Sequence, residues 1–230
     1  MNSNNLKIIK SIVRGYNKIA LKFHHTRLSF FRDLKFVKNY VPKNATVLDF
    51  GCGNGRLAEF LKGSYKKYQG LDVSKNLIKI AQDNHRGKKT QFKKIRPFEK
   101  LRSFYNSFDI VFSIAVFHHF PSGKYRKERA EELFQVLKPE GIVIVSVWNL
   151  WQKKYFKEIV RETFKKITGS SKLGWGDLVV SFKEKSFIFK RYHHAYTQKS
   201  LKRLFEKAGF TTEKIINTGR NIVYIGKRMK

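Results

Sequence analysis

Cysteine occurs once in these 230 residues, as Cys52. One thiol cannot close an intrachain disulfide or build a cysteine zinc site, so a reduced, cytoplasmic setting is expected. No apolar run approaches the about 20 residues that a membrane-spanning helix needs, and the N-terminus has no signal-type apolar core. The longest uncharged runs, near Ile110–Phe120 and Gly141–Trp151, read as buried strands with their turns. Acid is also scarce. Asp and Glu number 17 against 49 Lys and Arg, a formal net charge of +32. The stretches 1–32, 84–98 and 185–205 contain no acid at all. Such a surplus points first to a polyanionic partner, nucleic acid before anionic membrane. A surface drifted toward lysine by base composition is the plain alternative.

What is present is organised around Val47–Gly55, V-L-D-F-G-C-G-N-G. An apolar run carries Asp49 and stops at a glycine turn, Gly51-Cys52-Gly53-Asn54-Gly55. A helical pattern follows at Leu57, Ala58, Phe60 and Leu61. Strand, glycine turn and helix open a nucleotide-binding βαβ unit. The G-x-G-x-G spacing is tighter than the dinucleotide fingerprint, and no Lys-Ser/Thr pair makes it a phosphate loop. Asp49 would repel a pyrophosphate and suits a cation, such as an ammonium or sulfonium. A second short strand, Tyr68–Asp72, ends on an acid about 20 residues past the turn, where such folds grip a ribose diol.

The rest alternates. Helical spacing at Leu6, Ile9, Val13, Tyr16, Ala20 and Phe23 predicts an amphipathic helix, and a second pattern from Leu28 to Val37 predicts another ending before Pro42. Strand Thr46–Phe50 leads to helix Asn54–Lys62, and strand Tyr68–Asp72 to helix Ser74–His85 with Ser74 as its cap. Strands Thr90–Ile95, Phe108–Ala115 and Ile142–Trp148 follow, with a helix from about Lys124 to Leu137 and a turn at Lys138–Gly141. After helix Gln198–Ala208, strands Thr211–Asn217 and Asn221–Lys227 form an antiparallel edge hairpin. Near-continuous apolar strands in βα alternation predict an α/β fold: a mostly parallel seven-stranded sheet with helices on both faces. One domain over 1–230 is expected. It comprises an N-terminal helical segment 1–42, a core of 43–148 and 195–230, and an insertion 149–194 over the carboxyl edge of the sheet.

Histidine comes in doublets: His24-His25, His118-His119 and His193-His194. None has i,i+4 ligand spacing with a carboxylate, so no metal is expected. His118-His119 follows the fourth strand at the edge where ligands bind in open α/β sheets.

The pairing of D-x-G-x-G-x-G with G-x-D-x-S resembles class I S-adenosylmethionine-dependent methyltransferases, whose fold is Rossmann-like. Further runs make the resemblance narrower: Y-N-K-I-A-L-K-F-H-H-T-R (Tyr16–Arg27), S-I-A-V-F-H-H-F (Ser113–Phe120), L-K-P-E-G (Leu137–Gly141), V-W-N-L-W-Q (Val147–Gln152), G-D-L-V-V (Gly176–Val180) and R-Y-H-H-A-Y (Arg191–Tyr196). Together they resemble the tRNA wobble-uridine methyltransferases that esterify 5-carboxymethyluridine. The resemblance implies S-adenosylmethionine held by Asp49, Gly51, Cys52, Gly53, Asn54, Gly55, Asp72, Val73 and Ser113. It implies His118, His119, Arg191, Arg27 and His194 at the reacting centre, tRNA as substrate, and a small zinc-binding activator subunit as in eukaryotic relatives. Two residues depart from the family. The usual adenine-contacting acid after the third strand is missing, since 84–98 holds six cations and no acid, so adenine must lean on backbone. His193 stands where the family usually has Tyr.

A carboxylate with an ordinary pKa near about 4 is ionised at neutral pH, attacks without a general base, and needs only positioning by a cation. Arg191, Arg27 and the His118-His119 pair suit that role. A small-molecule methyltransferase, for a quinone-like or carboxylic acid metabolite, is the alternative. A cofactor-binding subunit without catalysis is the third reading.

Overall fold

The computed structural model describes residues 3–171, 173–184 and 187–229. The first and third acid-free stretches and the Gly169–Gly176 loop therefore lie partly outside the described residues. A 23-residue helix α1 (Ser3–His25) opens the chain, and its buried stripe is Ile9, Ile12, Ile19 and Ala20. The second helix expected before Pro42 is instead a 3-10 segment, Arg32–Tyr40, anchored by Leu34 and Val37.

The core alternates as the apolar pattern predicts: β1 (Ala45–Phe50), α2 (Arg56–Phe60), β2 (Tyr65–Asp72), α3 (Lys75–Asn84), β3 (Thr90–Lys94), β4 (Phe108–Ile114), α4 (Gly123–Val136) and β5 (Leu137–Trp148). Ser74 caps α3 by accepting the Leu77 N–H at 3.3 Å. The insertion holds α5 (Phe156–Ile167) and then a hairpin, β6 (Asp177–Glu184) with β7 (Phe187–His194). The chain closes with α6 (Gln198–Glu206), β8 (Thr211–Asn217) and β9 (Asn221–Lys227).

One seven-stranded sheet runs β3-β2-β1-β4-β5-β9-β8. Strands β1 to β5 pair in parallel, while β9 runs antiparallel to both β5 and β8. Strand order reverses between β1 and β4, and a crevice opens beyond their carboxyl ends at such a point. Large fully buried side chains from β1, β2 and β4, including Leu48, Leu71, Phe112 and Ile110, pack these strands into the core.

Two expectations change in detail. The Lys138–Gly141 turn lies inside β5, where Glu140 takes a positive φ of 62° and the register with β4 shifts between Phe108, opposite Leu137, and Ile110, opposite Ile142. The β6–β7 hairpin is an element that the βα alternation does not predict: the G-D-L-V-V and R-Y-H-H runs pair antiparallel, Asp177 opposite His194 and Val180 opposite Arg191. Among the described residues no helix is long and apolar enough to cross a membrane.

Candidate active site

A cavity enclosing about 1220 Å³ of empty space, its open mouth included, lies at the carboxyl ends of β1 and β4 under α1. The glycine turn is its floor. Gly51 and Cys52 both donate backbone N–H groups to the Leu71 carbonyl, at 2.7 and 3.1 Å, which ties the turn to the end of β2. Gly51 has φ +85°, and a Cβ there would collide with Val116. Gly53 has φ +55° and would meet only Phe23, at 3.7 Å, so its backbone stays open to a ligand.

Two acids line this half. Asp72 accepts the Gly53 N–H at 2.9 Å and the Ser74 N–H at 2.8 Å. Those bonds fix its carboxylate and leave a lone pair on each oxygen for a ribose diol. Asp49 is 2% exposed and accepts the Tyr68 hydroxyl at 2.6 Å. Burial pushes its pKa up to about 7, against the Tyr68 hydrogen bond, which favours the ionised form. A cation beside it would favour the carboxylate and be favoured by it. Ile95, Pro97 and Phe98 supply apolar walls after β3. The first acid past that strand, Glu99, turns back to accept the Arg96 N–H at 2.8 Å. The glycine cradle, the paired acids and the apolar walls fit S-adenosylmethionine.

The other half is cationic and aromatic. His119 Nδ1 lies 2.9 Å from the Tyr192 carbonyl, so it carries the proton and donates. Nε2 is then the acceptor for the Tyr16 hydroxyl at 2.8 Å. Arg191 is 6% exposed, lines the cavity, and stacks over Trp148 and Phe182 at 5.2 and 5.4 Å. Its Nε has no hydrogen-bond partner. Arg27 and Arg56 also line the cavity.

The expected residues divide. Asp49, Gly51, Cys52, Gly53, Asn54, Asp72, Val73, Arg27, His119 and Arg191 line the cavity. His118, His194, Ser113 and Gly55 do not. His118 is turned into the core, where Nδ1 accepts the Trp148 N–H at 3.3 Å and the ring stacks on His193 at 4.9 Å. His194 binds Asp177 at 2.7 Å behind the hairpin. Ser113 is fully buried in β4, and Gly55 backs onto His85 and Phe92. Cys52 is a buried thiol whose pKa burial raises well above the ordinary value. Tyr16, Arg56 and Trp148 were not singled out from sequence. Tyr16 and Trp148 lie within the runs Tyr16–Arg27 and Val147–Gln152, and Arg56 directly follows the glycine turn.

The fold also gathers His118, His119 and His193, with ligand-capable atoms within 4.8 Å of one another. His118 and His193 lie nearly parallel, at 13°, so their lone pairs lie in parallel planes and do not converge on one point. Tyr16 occupies the Nε2 of His119.

These rings set a pH dependence. Burial holds His119 at a pKa of about 4, and pushes His118 and His193 well below their ordinary value. In the unfolded chain they protonate below about pH 6.5, while in the fold they stay neutral. Their contribution is present above that value and is lost as pH falls toward the folded pKa. Asp49 acts oppositely. Its raised pKa of about 7 stabilises at low pH, and that contribution is lost as pH rises through 7. Asp72, which burial also raises, acts like Asp49, and the three rings outweigh the two carboxyls, with His119 alone worth on the order of 3 kcal/mol by about pH 4. The melting temperature should fall steadily from about pH 7 to 4.5 by calorimetry. A melting temperature that is flat or rises toward acid would mean the rings are not buried neutral.

The family model described as "Methyltransferase domain" matches residues 23–215. A protein of Arabidopsis thaliana named tRNA (carboxymethyluridine(34)-5-O)-methyltransferase is 33% identical over 63% of this chain. The chain spans only 34% of that relative's length. A Schizosaccharomyces pombe protein of the same name is 26% identical, covering 84% of this chain and 86% of its own. In fold, the chain is similar to a putative methyltransferase solved in complex with the Haloferax volcanii Trm112 methyltransferase activator. The TM-score is 0.68 at 15% identity, over 95% of this chain and 97% of that one.

Proposed function

We propose that this chain, which belongs to the methyltransferase domain family and is an S-adenosylmethionine-dependent methyltransferase, esterifies the carboxylate of a modified wobble uridine in tRNA. Arg191 carries this reading. It is a buried guanidinium with no acid partner among the described residues, and it faces the cavity beside Trp148. Such a group wants an anion, and its fork matches both oxygens of a carboxylate.

When bound, S-adenosylmethionine supplies a methyl group on a sulfonium centre, open to in-line attack. The chain's residues then position the nucleophile. Arg191 takes the carboxylate and sets its direction. His119 stays neutral, because burial lowers its pKa to about 4, so it does not protonate the nucleophile. Its Nε2 is already committed to Tyr16, so no free base stands at this end, and an ionised carboxylate needs none. Asp49 and Asp72 hold the cofactor's cationic and ribose parts.

The tRNA part is supported by the name of the two relatives and by the net charge of +32. Incubation with labelled donor and total tRNA, followed by nucleoside analysis, should give a labelled ester of a 5-substituted uridine. Label in a metabolite extract and none in tRNA would instead favour a small carboxylic acid substrate. A methyltransferase activator subunit belongs in the assay, since the Haloferax neighbour is seen with one. Affinity for tRNA should fall steeply with salt, with a log–log slope of about −0.7 to −0.9 per neutralised phosphate. A salt-insensitive, weak interaction would count against an RNA substrate.

A further inference from the structure

The cavity has a second cationic pole that the carboxylate does not use. Arg27 and Arg56 both lie over the Phe23 ring, at 4.7 and 5.9 Å, and Arg56 also stacks on Phe31 at 3.9 Å. Arg191 stands on a different aromatic pair, Trp148 and Phe182. Among the described residues no carboxylate forms a salt bridge with Arg27 or Arg56. Among the described residues the side chain of Arg27 donates only to the neighbouring Thr26 hydroxyl, at 2.8 Å. Asp49, the acid that acts on Arg56, is hydrogen-bonded to Tyr68.

The pair is held in place. Asn54 Nδ2 donates to the Arg27 carbonyl and to His24 Nδ1, both at 3.1 Å. The same side chain belongs to the glycine turn that leads into Arg56 and α2. Two half-buried like charges are therefore pinned over one ring with no salt-bridge partner among the described residues. Burial and then Arg27 push the Arg56 pKa down to about 10. Repulsion of that kind is relieved by an anion with several oxygens placed between the forks.

We propose that Arg27 and Arg56 together bind a phosphate next to the modified base in the RNA backbone, while Arg191 holds the base's carboxylate. The proposal rests on the tRNA reading above. It moves Arg27 from the carboxylate to the phosphate. It also gives a role to two guanidinia beyond the one that takes the substrate's carboxylate.

The test is binding of an anticodon stem-loop RNA in which one linkage at a time around the wobble nucleotide is replaced by neutral methylphosphonate. Wild type should lose about tenfold or more at one linkage, the size of a charge-assisted contact. Arg56→Gln should lose a similar factor with the native RNA and then be indifferent to that linkage. Arg56→Lys should keep part of the sensitivity. Wild type indifferent to every neutral linkage overturns the proposal without any variant. So does Arg56→Gln remaining as sensitive as wild type, with RNA binding and the substrate reading left standing. If Arg56→Gln weakens S-adenosylhomocysteine but not its decarboxylated analogue, the pair holds the cofactor's carboxylate and the phosphate assignment falls. No measurable binding of any stem-loop overturns the RNA reading and this inference together.

Discussion

Arg191→Lys is expected to lose roughly 2–4 kcal/mol of transition-state stabilisation, a fall in turnover of about 30- to 1000-fold, with donor affinity unchanged. Arg191 sits in β7 opposite Val180, and its carbonyl accepts the His193 Nδ1–H at 3.0 Å. The strand therefore fixes where the guanidinium starts, and Trp148 and Phe182 fix its plane. Lysine keeps the charge but has no fork and no flat face to stack. It would hold one carboxylate oxygen and leave the nucleophile's direction loose. Arg191→Ala should be at least as inactive and also less stable, since a stacked, buried side chain is removed. Turnover and S-adenosylhomocysteine affinity should be measured on the same preparations. Near-normal turnover in both variants would take Arg191 out of the mechanism, and a parallel loss of donor affinity would place it on the cofactor.

Asp72→Ala is expected to weaken S-adenosylhomocysteine by about 2 kcal/mol, or roughly 30-fold. Two contributions add there. The carboxylate offers acceptors to a ribose diol, and it also holds the Gly53 and Ser74 N–H groups at 2.9 and 2.8 Å. Losing those bonds loosens the turn and the start of α3, so some affinity goes through the loop. A cofactor analogue lacking both ribose hydroxyls separates the two. If the diol contact is real, the analogue binds wild type weakly and Asp72→Ala costs it much less than it costs the native ligand. An equal cost for both ligands would leave Asp72 as a loop-fixing residue alone.

The cofactor half was legible in the sequence because its chemistry is local. Asp49 through Gly55 is one strand end and one turn, and the left-handed φ values at Gly51, Gly53 and Gly55 explain why glycine stands at each. Asp72 is one strand further on, and the β1–β2 pairing of Asp49 with Gly70 brings it alongside. The missing acid after β3 was equally readable. The structure adds that Glu99 is spent on the Arg96 N–H.

The substrate half was not legible, because its partners are far apart in sequence and its faces depend on register. Tyr16 meets His119 across 103 residues. In the sequence, Tyr16 is one more apolar position on an amphipathic helix. The doublets mislead for a physical reason. In a strand, successive side chains point to opposite faces. Arg191 and His193 therefore share one side of β7, and Tyr192 and His194 share the other. His194 goes to Asp177, and His193 goes into the stack with His118. The 3-10 turn Phe117–His119 splits the other doublet, sending His119 to the cavity and His118 to the core. Composition and spacing determined that this chain carries a cofactor-binding α/β sheet with a surplus of cations. Which histidine and which arginine face the ligand was decided only when β7 paired with β6 and α1 closed over the sheet edge, because those contacts assign each side chain to a face.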